Sequence, residues 1–314
     1  TFIELPTQYK QPSEDGSLLL AEGLRDDKIE QVYIKDKDLD KHFYICGKTG
    51  SGKSTLILRL IMSVIERGKG LCLIDPHEDL AEMILERIPD GRVDDVVYFN
   101  PCDESPIAIN MLENDGSEEQ QDKIVQEFTS MMFKLHNIDN IGPMFERSMR
   151  YTLLLLMVNK LSLNEFAEVW RNTDFMNNCL KMLDKEKSRE SDIIDFWKEE
   201  KSKWKGDDWS NMSSYVISKF DRMNSSEVMR SILGAKKSTI NIKEIMDNGK
   251  ILLVSLPKGL LGEVNANLLG MIISTKIRLS ILSRATVDEN LRRPFYFFID
   301  EFQNFVSTSG FSYS

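Results

Sequence analysis

The chain has 314 residues, 41% of them hydrophobic and 29% charged, with a formal net charge of −10. This composition excludes a disordered chain, and the length exceeds the roughly 100–200 residues of one ordinary domain, so two packed units or one domain with an insertion is expected. The acidic balance excludes a global positive field, and any nucleic-acid contact must come from local basic groups.

The longest uninterrupted apolar run, 153–158, falls far short of the about 20 residues a membrane helix needs. Nothing at the N-terminus reads as a signal peptide. Cys46, Cys72, Cys102 and Cys179 lack CxxC spacing, and His42, His77 and His136 lie far apart. A structural zinc site is therefore not expected, and a reduced, cytoplasmic setting is.

In chain order, the first forty residues are polar and broken by Pro6, Pro12 and Gly16, with one weakly alternating run at 31–34. Residues 42–46 form a short apolar run ending in glycine, read as a strand. Helical spacing covers 54–67, an apolar run 70–74 ends in Asp75-Pro76, a helix covers 80–87, and a third strand covers 93–99. Strand, helix, strand, helix, strand predicts a parallel sheet with crossover helices. From about 113 to 235 the strand signal disappears. Ser117-x-x-Gln120 and Ser162-x-x-Glu165 read as capping boxes, and 127–135 and 145–160 carry helical spacing. The charged stretch 181–208, with Trp197 and Trp204 (and Trp209 just beyond), reads as a solvated arm with the tryptophans as small-core anchors. After Lys237 the α/β pattern returns, with a strand at 250–256, a long apolar helix at 265–283 and a strand at 295–299. One α/β domain interrupted by a helical insertion accounts for the whole pattern.

Gly47-Lys48-Thr49-Gly50-Ser51-Gly52-Lys53-Ser54 satisfies G-x-x-x-x-G-K-[ST] in full. Glycines let successive N–H groups turn inward around phosphate oxygens, and the following helix adds its positive end. Lys53 is positioned by the motif to reach the β- and γ-phosphates and Ser54 to coordinate Mg²⁺. Phe295-Tyr296-Phe297-Phe298-Ile299 then delivers Asp300 and Glu301 to a strand's C-terminal end, where α/β sheets bind ligands. Asp300 is expected to hold Mg²⁺ through water and Glu301 to deprotonate the attacking water. Asp75-Pro76-His77 ends a strand on the same sheet edge, where a role in the Mg²⁺ shell or toward a neighbouring subunit and a plain strand stop both remain open. Lys236-Lys237 reads as a solvated loop. Asn159-Lys160-Leu161-Ser162 fails the N-K-x-D guanine motif at its last position, and no LSGGQ signature of transporter ATPases is present.

The runs FYICGKTGSGKST, LCLIDPHEDL, VVYFNP, KILLVSLPKGLLGE and FYFFIDEFQNF, in this order, resemble the conjugative DNA-transfer ATPases. These are the coupling proteins of type IV secretion, related to the HerA/FtsK-like translocases. The resemblance covers about 42–112 and 220–306. It implies an α/β, RecA-like P-loop core at 42–112 and 236–314, an all-helical insertion at 113–235 and an N-terminal extension at 1–41. It further implies ATP and Mg²⁺ as ligands, Thr55 continuing the phosphate-binding stretch, and a homo-oligomeric, hexameric ring acting on DNA. Secretion-channel or relaxosome proteins are implied partners, at the inner face of the cytoplasmic membrane. A secretion ATPase of the same fold, powering protein export or pilus assembly, is the alternative. Two departures stand out: Glu78 replaces the glycine of the family's DPHGDL, and the family's arginine finger and polar sensor fall past Ser314. Arg230 is the upstream candidate for a finger, whereas Arg292 and Arg293 lie on the edge opposite the nucleotide.

Overall fold

The computed structural model describes residues 3–4, 17–25, 28–35, 38, 41–48, 50–136, 142–204, 207–221, 223–224 and 226–304. By their internal contacts the residues fall into two compact units: 1–99 with 244–257 and 287–301, and 100–243 with 258–286 and 302–314.

The first unit opens with an antiparallel sheet, β1 (Ile3–Glu4), β2 (Ser17–Arg25) and β3 (Lys28–Lys35), with a register shift between Leu19 and Ala21. The sequence suggests a single strand here, at 31–34. β2 has an apolar run at 18–21 followed by Glu22-Gly23, and the ladder with β3 carries the strand through to Arg25.

The main sheet comprises β4 (Gly70–Asp75), β5 (Val96–Phe99), β6 (Ile251–Ser255) and β7 (Phe295–Ile299) in the order β5-β6-β4-β7, every pair parallel. β4 and β6 are buried along their whole length, as apolar runs in a parallel sheet must be. Leu71 and Leu73 of β4 and Ile251 and Leu253 of β6 form one core with Ile61, Val64 and Ile65 of α1 (Lys53–Glu66) and Leu80, Ala81 and Ile84 of α2 (Asp79–Leu85). The expected strand at 42–46 is not formed. β7 pairs with β4 along one edge, and among the described residues nothing pairs along its other edge. Without a ladder to satisfy its backbone the run stays outside the sheet, with Phe43 and Tyr44 52% and 80% exposed.

Arg92 locks the N-terminal edge of this sheet. Its guanidinium donates to Ile65 O at the end of α1 (3.0 Å), to Lys69 O (3.4 Å) and to Gly249 O before β6 (2.9 Å), and Nε donates to Asp95 at 2.7 Å. The chains enter this corner tightly: a Cβ on Gly70 would meet Gly249 Cα at 2.7 Å. Arg92→Ala is expected to cost about 2–4 kcal/mol, because three carbonyls lose a charge-assisted partner. A denaturant titration reads this directly. A lysine here should recover less than half, since its head cannot fork to three carbonyls.

In the second unit α3 (Glu118–His136), α4 (Pro143–Val158), α5 (Phe166–Arg171), α6 (Thr173–Lys181), α7 (Ser188–Lys203), α8 (Asp207–Ser218) and α9 (Glu227–Leu233) follow one another without a strand among the described residues. Ser162 and Glu165 form the reciprocal capping box, Glu165 accepting from Ser162 N at 2.9 Å. The box at Ser117 is half made: its hydroxyl accepts from Gln120 N, while the Gln120 side chain accepts from Asp115 N instead. The expected solvated arm is a packed part of the core. Trp197 is fully buried and meets Trp170 edge-on at 4.9 Å, Trp209 stacks on Trp170 at 5.3 Å, and Trp204 donates to the buried Glu200 at 2.8 Å. The charges occupy one side of α7 and hide its apolar stripe in the sequence average.

The unit's two chain ends are stitched into a neck. Thr239 N donates to Ala108 O (3.0 Å), Ala108 N to the Thr239 hydroxyl (2.8 Å) and the Asn110 amide to Lys236 O (2.8 Å). α10 (Ile242–Asp247) then leads into β6, and α11 (Lys258–Leu261) and α12 (Glu263–Ser283) follow it. By its contacts α12 groups with the helical unit, where Arg278 pairs with Glu127 of α3 at 3.1 Å. Its apolar sequence alone would assign it to the sheet.

Candidate active site

α1 runs back along the sheet. Its C-terminal end is held at the N-terminal edge by Arg92, so its N-terminus, and with it the glycine-rich loop, faces the opposite end where β4, β6 and β7 finish. The loop has the backbone its glycines predict. Gly50 and Gly52 hold φ of 78° and 87°, and Gly52 caps α1 from the left-handed region. Ser51 N donates to Lys48 O at 3.1 Å, closing the turn, and a side chain on Gly47 would collide with the Ser51 hydroxyl. No acidic residue lies in the first turn of α1, so its positive end is uncompensated by the helix itself. The Lys53 ammonium arches over the loop, donating to Gly47 O (2.9 Å) and Lys48 O (3.4 Å). Ser54 and Thr55 are exposed on the same first turn. Thr49 lies outside the described residues.

Three carboxylates meet this end of the sheet. Ile74 pairs with Ile299, and Asp300 N continues the ladder to Ile74 O at 3.0 Å. Asp75, paired with Ser255 of β6, and Asp300 therefore stand side by side. The two alternatives for Asp75 separate here. Its fully buried carboxylate accepts from the backbone N–H of His77 (2.9 Å), Leu80 (2.9 Å) and Ala81 (3.0 Å), so it closes the turn and caps α2. Three of its about four acceptor positions are thereby used, which makes it a strand stop and helix cap. His77 itself is exposed.

Asp300 is half-buried, and burial first of all pushes its carboxyl above the ordinary range. The bond from Glu301 N (3.0 Å) opposes this, the neighbouring Asp75 and Glu301 carboxylates reinforce it, and His77 counteracts it. A carboxylate so placed gains from a cation. Among the described residues no group of three or more His, Cys, Asp or Glu side chains could hold a metal ion by itself. A hydroxyl, a single carboxylate and an adjoining phosphate cradle fit Mg²⁺, which takes few protein ligands and completes its shell from phosphates and water. Glu301 follows with φ 46°, a left-handed kink that turns its side chain out of the strand's alternation.

Glu78 stands at φ 73°, ψ −31°, where glycine is at ease and other residues are not. This explains why a glycine suits the position and what Glu78 costs. Relief of strain is worth about 1–3 kcal/mol, against about 0.5–1 for glycine's added chain entropy and about 0.3–1 for an acid lost at a helix N-terminus. At the middle of these ranges the relief of strain outweighs the two losses, and Glu78→Gly is expected to raise stability by about 0.5 kcal/mol. A fall in the urea midpoint would contradict it.

Of the basic residues singled out, Arg293 donates to Asn248 O (2.9 Å) and Arg292 to Val287 O (2.8 Å), both at the N-terminal end of β7 and away from the loop. Arg230 belongs to the helical unit, where it donates to Asn224 O at 2.8 Å. Lys236 and Lys237 are exposed beside the neck.

Residues 19–250 match the family model described as "Helicase HerA, central domain". Among curated proteins no sequence match is found. Among solved structures the chain is similar to the bacterial conjugative coupling protein TrwBdeltaN70. It is 16% identical to the unbound monoclinic form (TM-score 0.50, 82% of this chain, 54% of that one). It is 17% identical to the trigonal form in complex with sulphate (TM-score 0.51, 83% and 57%). The chain thus spans little more than half the length of those structures, and the likeness is one of fold.

Proposed function

Because the chain belongs to the family of the HerA helicase central domain, we propose that it is an ATP-hydrolysing motor that moves DNA, the substrate of a conjugative or type IV secretion channel. One observation carries the enzymatic part: the glycine-rich loop at the N-terminus of α1 and the Asp300-Glu301 pair lie on the same end of one parallel sheet. The fold likeness to a conjugative coupling protein supports DNA as the cargo. Among the described residues no helix is long and apolar enough to cross a membrane.

The loop amides from Gly47 to Ser54 hold the phosphates, and Lys53 exchanges two neutral carbonyls for β- and γ-phosphate oxygens. Ser54 and Asp300 would hold Mg²⁺, Asp300 through water, and the ion would supply charge neutralisation for the phosphates there. Glu301 orients a water and takes its proton as the water oxygen attacks the γ-phosphorus. The bond to the β–γ bridging oxygen breaks and its electron pair leaves with ADP. The unit that carries the parallel sheet performs this chemistry in a homo-oligomeric ring, and the helical unit, which takes in 258–286 beyond the expected 113–235, meets cargo or partner.

The test is phosphate release with and without DNA. Stimulation by DNA is expected, because engaging the cargo gates the rate-limiting conformational step. Hydrolysis that ignores DNA but responds to a secretion substrate protein would favour an export ATPase. A protein that binds no Mg·ATP would overturn the enzymatic reading.

A further inference from the structure

We infer that His77 is a further residue of the hydrolytic site, donating a hydrogen bond to a γ-phosphoryl oxygen; the inference rests on the proposed ATPase reading and extends it. β4 and β7 are adjacent and in register, so the segment after Asp75 leaves the sheet beside the segment after Ile299. Both segments leave the sheet at the end that the N-terminus of α1 faces. On β7 the place is taken by Asp300 and Glu301. On β4 Asp75 is consumed by the three N–H groups it caps, and Pro76 offers no donor, so the first side chain of that segment free to face outward is His77.

The turn that presents it is over-determined. His77 N is bonded to Asp75 Oδ1 at 2.9 Å, Glu78 is held at φ 73°, and the next two bonds to Asp75 fix the start of α2. The imidazole is exposed at the end of β4, beside the strand that carries the half-buried Asp300, and close enough to act on that carboxyl. The other histidine with a described partner, His136, bonds Lys219 O in the helical unit and plays no part here.

The chemistry needs such a group. Around the γ-phosphate the residues identified so far supply one cation, Lys53, and carboxylates that repel the phosphoryl oxygens. As the bond to ADP stretches, charge shifts on those oxygens, and a donor fixed in advance stabilises it without reorganising. Glu301 keeps the proton of the water; His77 only donates.

The experiment compares His77→Ala and His77→Gln with the wild-type protein. It measures DNA-stimulated phosphate release, the affinity for Mg·ATPγS, and the affinity for Mg·ADP with aluminium fluoride. His77→Ala is expected to lower kcat about 10²-fold and to weaken Mg·ADP aluminium fluoride by a similar factor. Mg·ATPγS affinity and the thermal midpoint should stay near wild type. His77→Gln, which keeps an N–H donor, should recover part of both losses. Wild-type kcat and wild-type aluminium fluoride affinity in His77→Ala would overturn the inference while leaving the ATPase reading intact. Equal loss of both nucleotide affinities would also overturn it, because that is the mark of a disturbed turn. A wild-type protein that binds no Mg·ATP would remove the ATPase reading and the inference together.

Discussion

Lys53→Ala is expected to weaken Mg·ATP binding by about 10²-fold or more. The ammonium already sits over the phosphate loop, on Gly47 O and Lys48 O. Moving from two neutral carbonyls to phosphate oxygens pairs the ammonium with anionic acceptors, and hydrogen bonds to charged groups are worth about 1.5–3 kcal/mol each. One such bond corresponds to roughly 10- to 150-fold in affinity, and the lysine reaches two phosphates. Calorimetry or a fluorescent nucleotide reads the loss. Folding should be almost unaffected, because the side chain caps exposed carbonyls that water can satisfy. Unchanged affinity would sink the assignment of this loop to ATP.

Glu301→Gln should separate binding from chemistry. The substitution keeps shape and the left-handed backbone at φ 46° and removes only the ability to accept a proton. Loss of a general base lowers turnover by about 10²–10⁴-fold, whereas Mg·ATP affinity should remain within a few-fold, since Ser54 and Asp300 still serve the ion. Single-turnover phosphate release alongside equilibrium binding distinguishes the two. Turnover within a few-fold of wild type would show that Glu301 is not the base, and the water would then need another acceptor at this edge. The pair of variants tests the proposed division of the site, in which the loop before α1 binds and the end of β7 reacts.

Much of this was legible in the residues themselves. The phosphate loop is a local device, because its glycines, its lysine and the helix that follows lie within one short stretch, and the backbone angles found at Gly50 and Gly52 are those such a loop requires. β4, β6 and β7 are continuous apolar runs that read as buried parallel strands, and β7 occupies the expected residues. The capping box at Ser162 is equally local.

What the tertiary structure alone decided depends on partners distant in sequence. The apolar run 42–46 looks like a strand, but a strand exists only with a ladder beside it, and none of the described strands pairs with it. The tryptophan-bearing stretch looks solvated because its charges outnumber its apolar groups; packing of Trp197 and Trp209 on Trp170 turns it into core. Asp75 could have been ligand or strand stop on spacing alone, and only the approach of the N–H groups of Leu80 and Ala81 makes it a cap. Arg92 gave no signal at all, since the three carbonyls it gathers come from three separate segments. Short-range chemistry is written in neighbouring residues. Which strand finds a ladder, and which charge finds a partner, is settled only when remote parts of the chain are brought together.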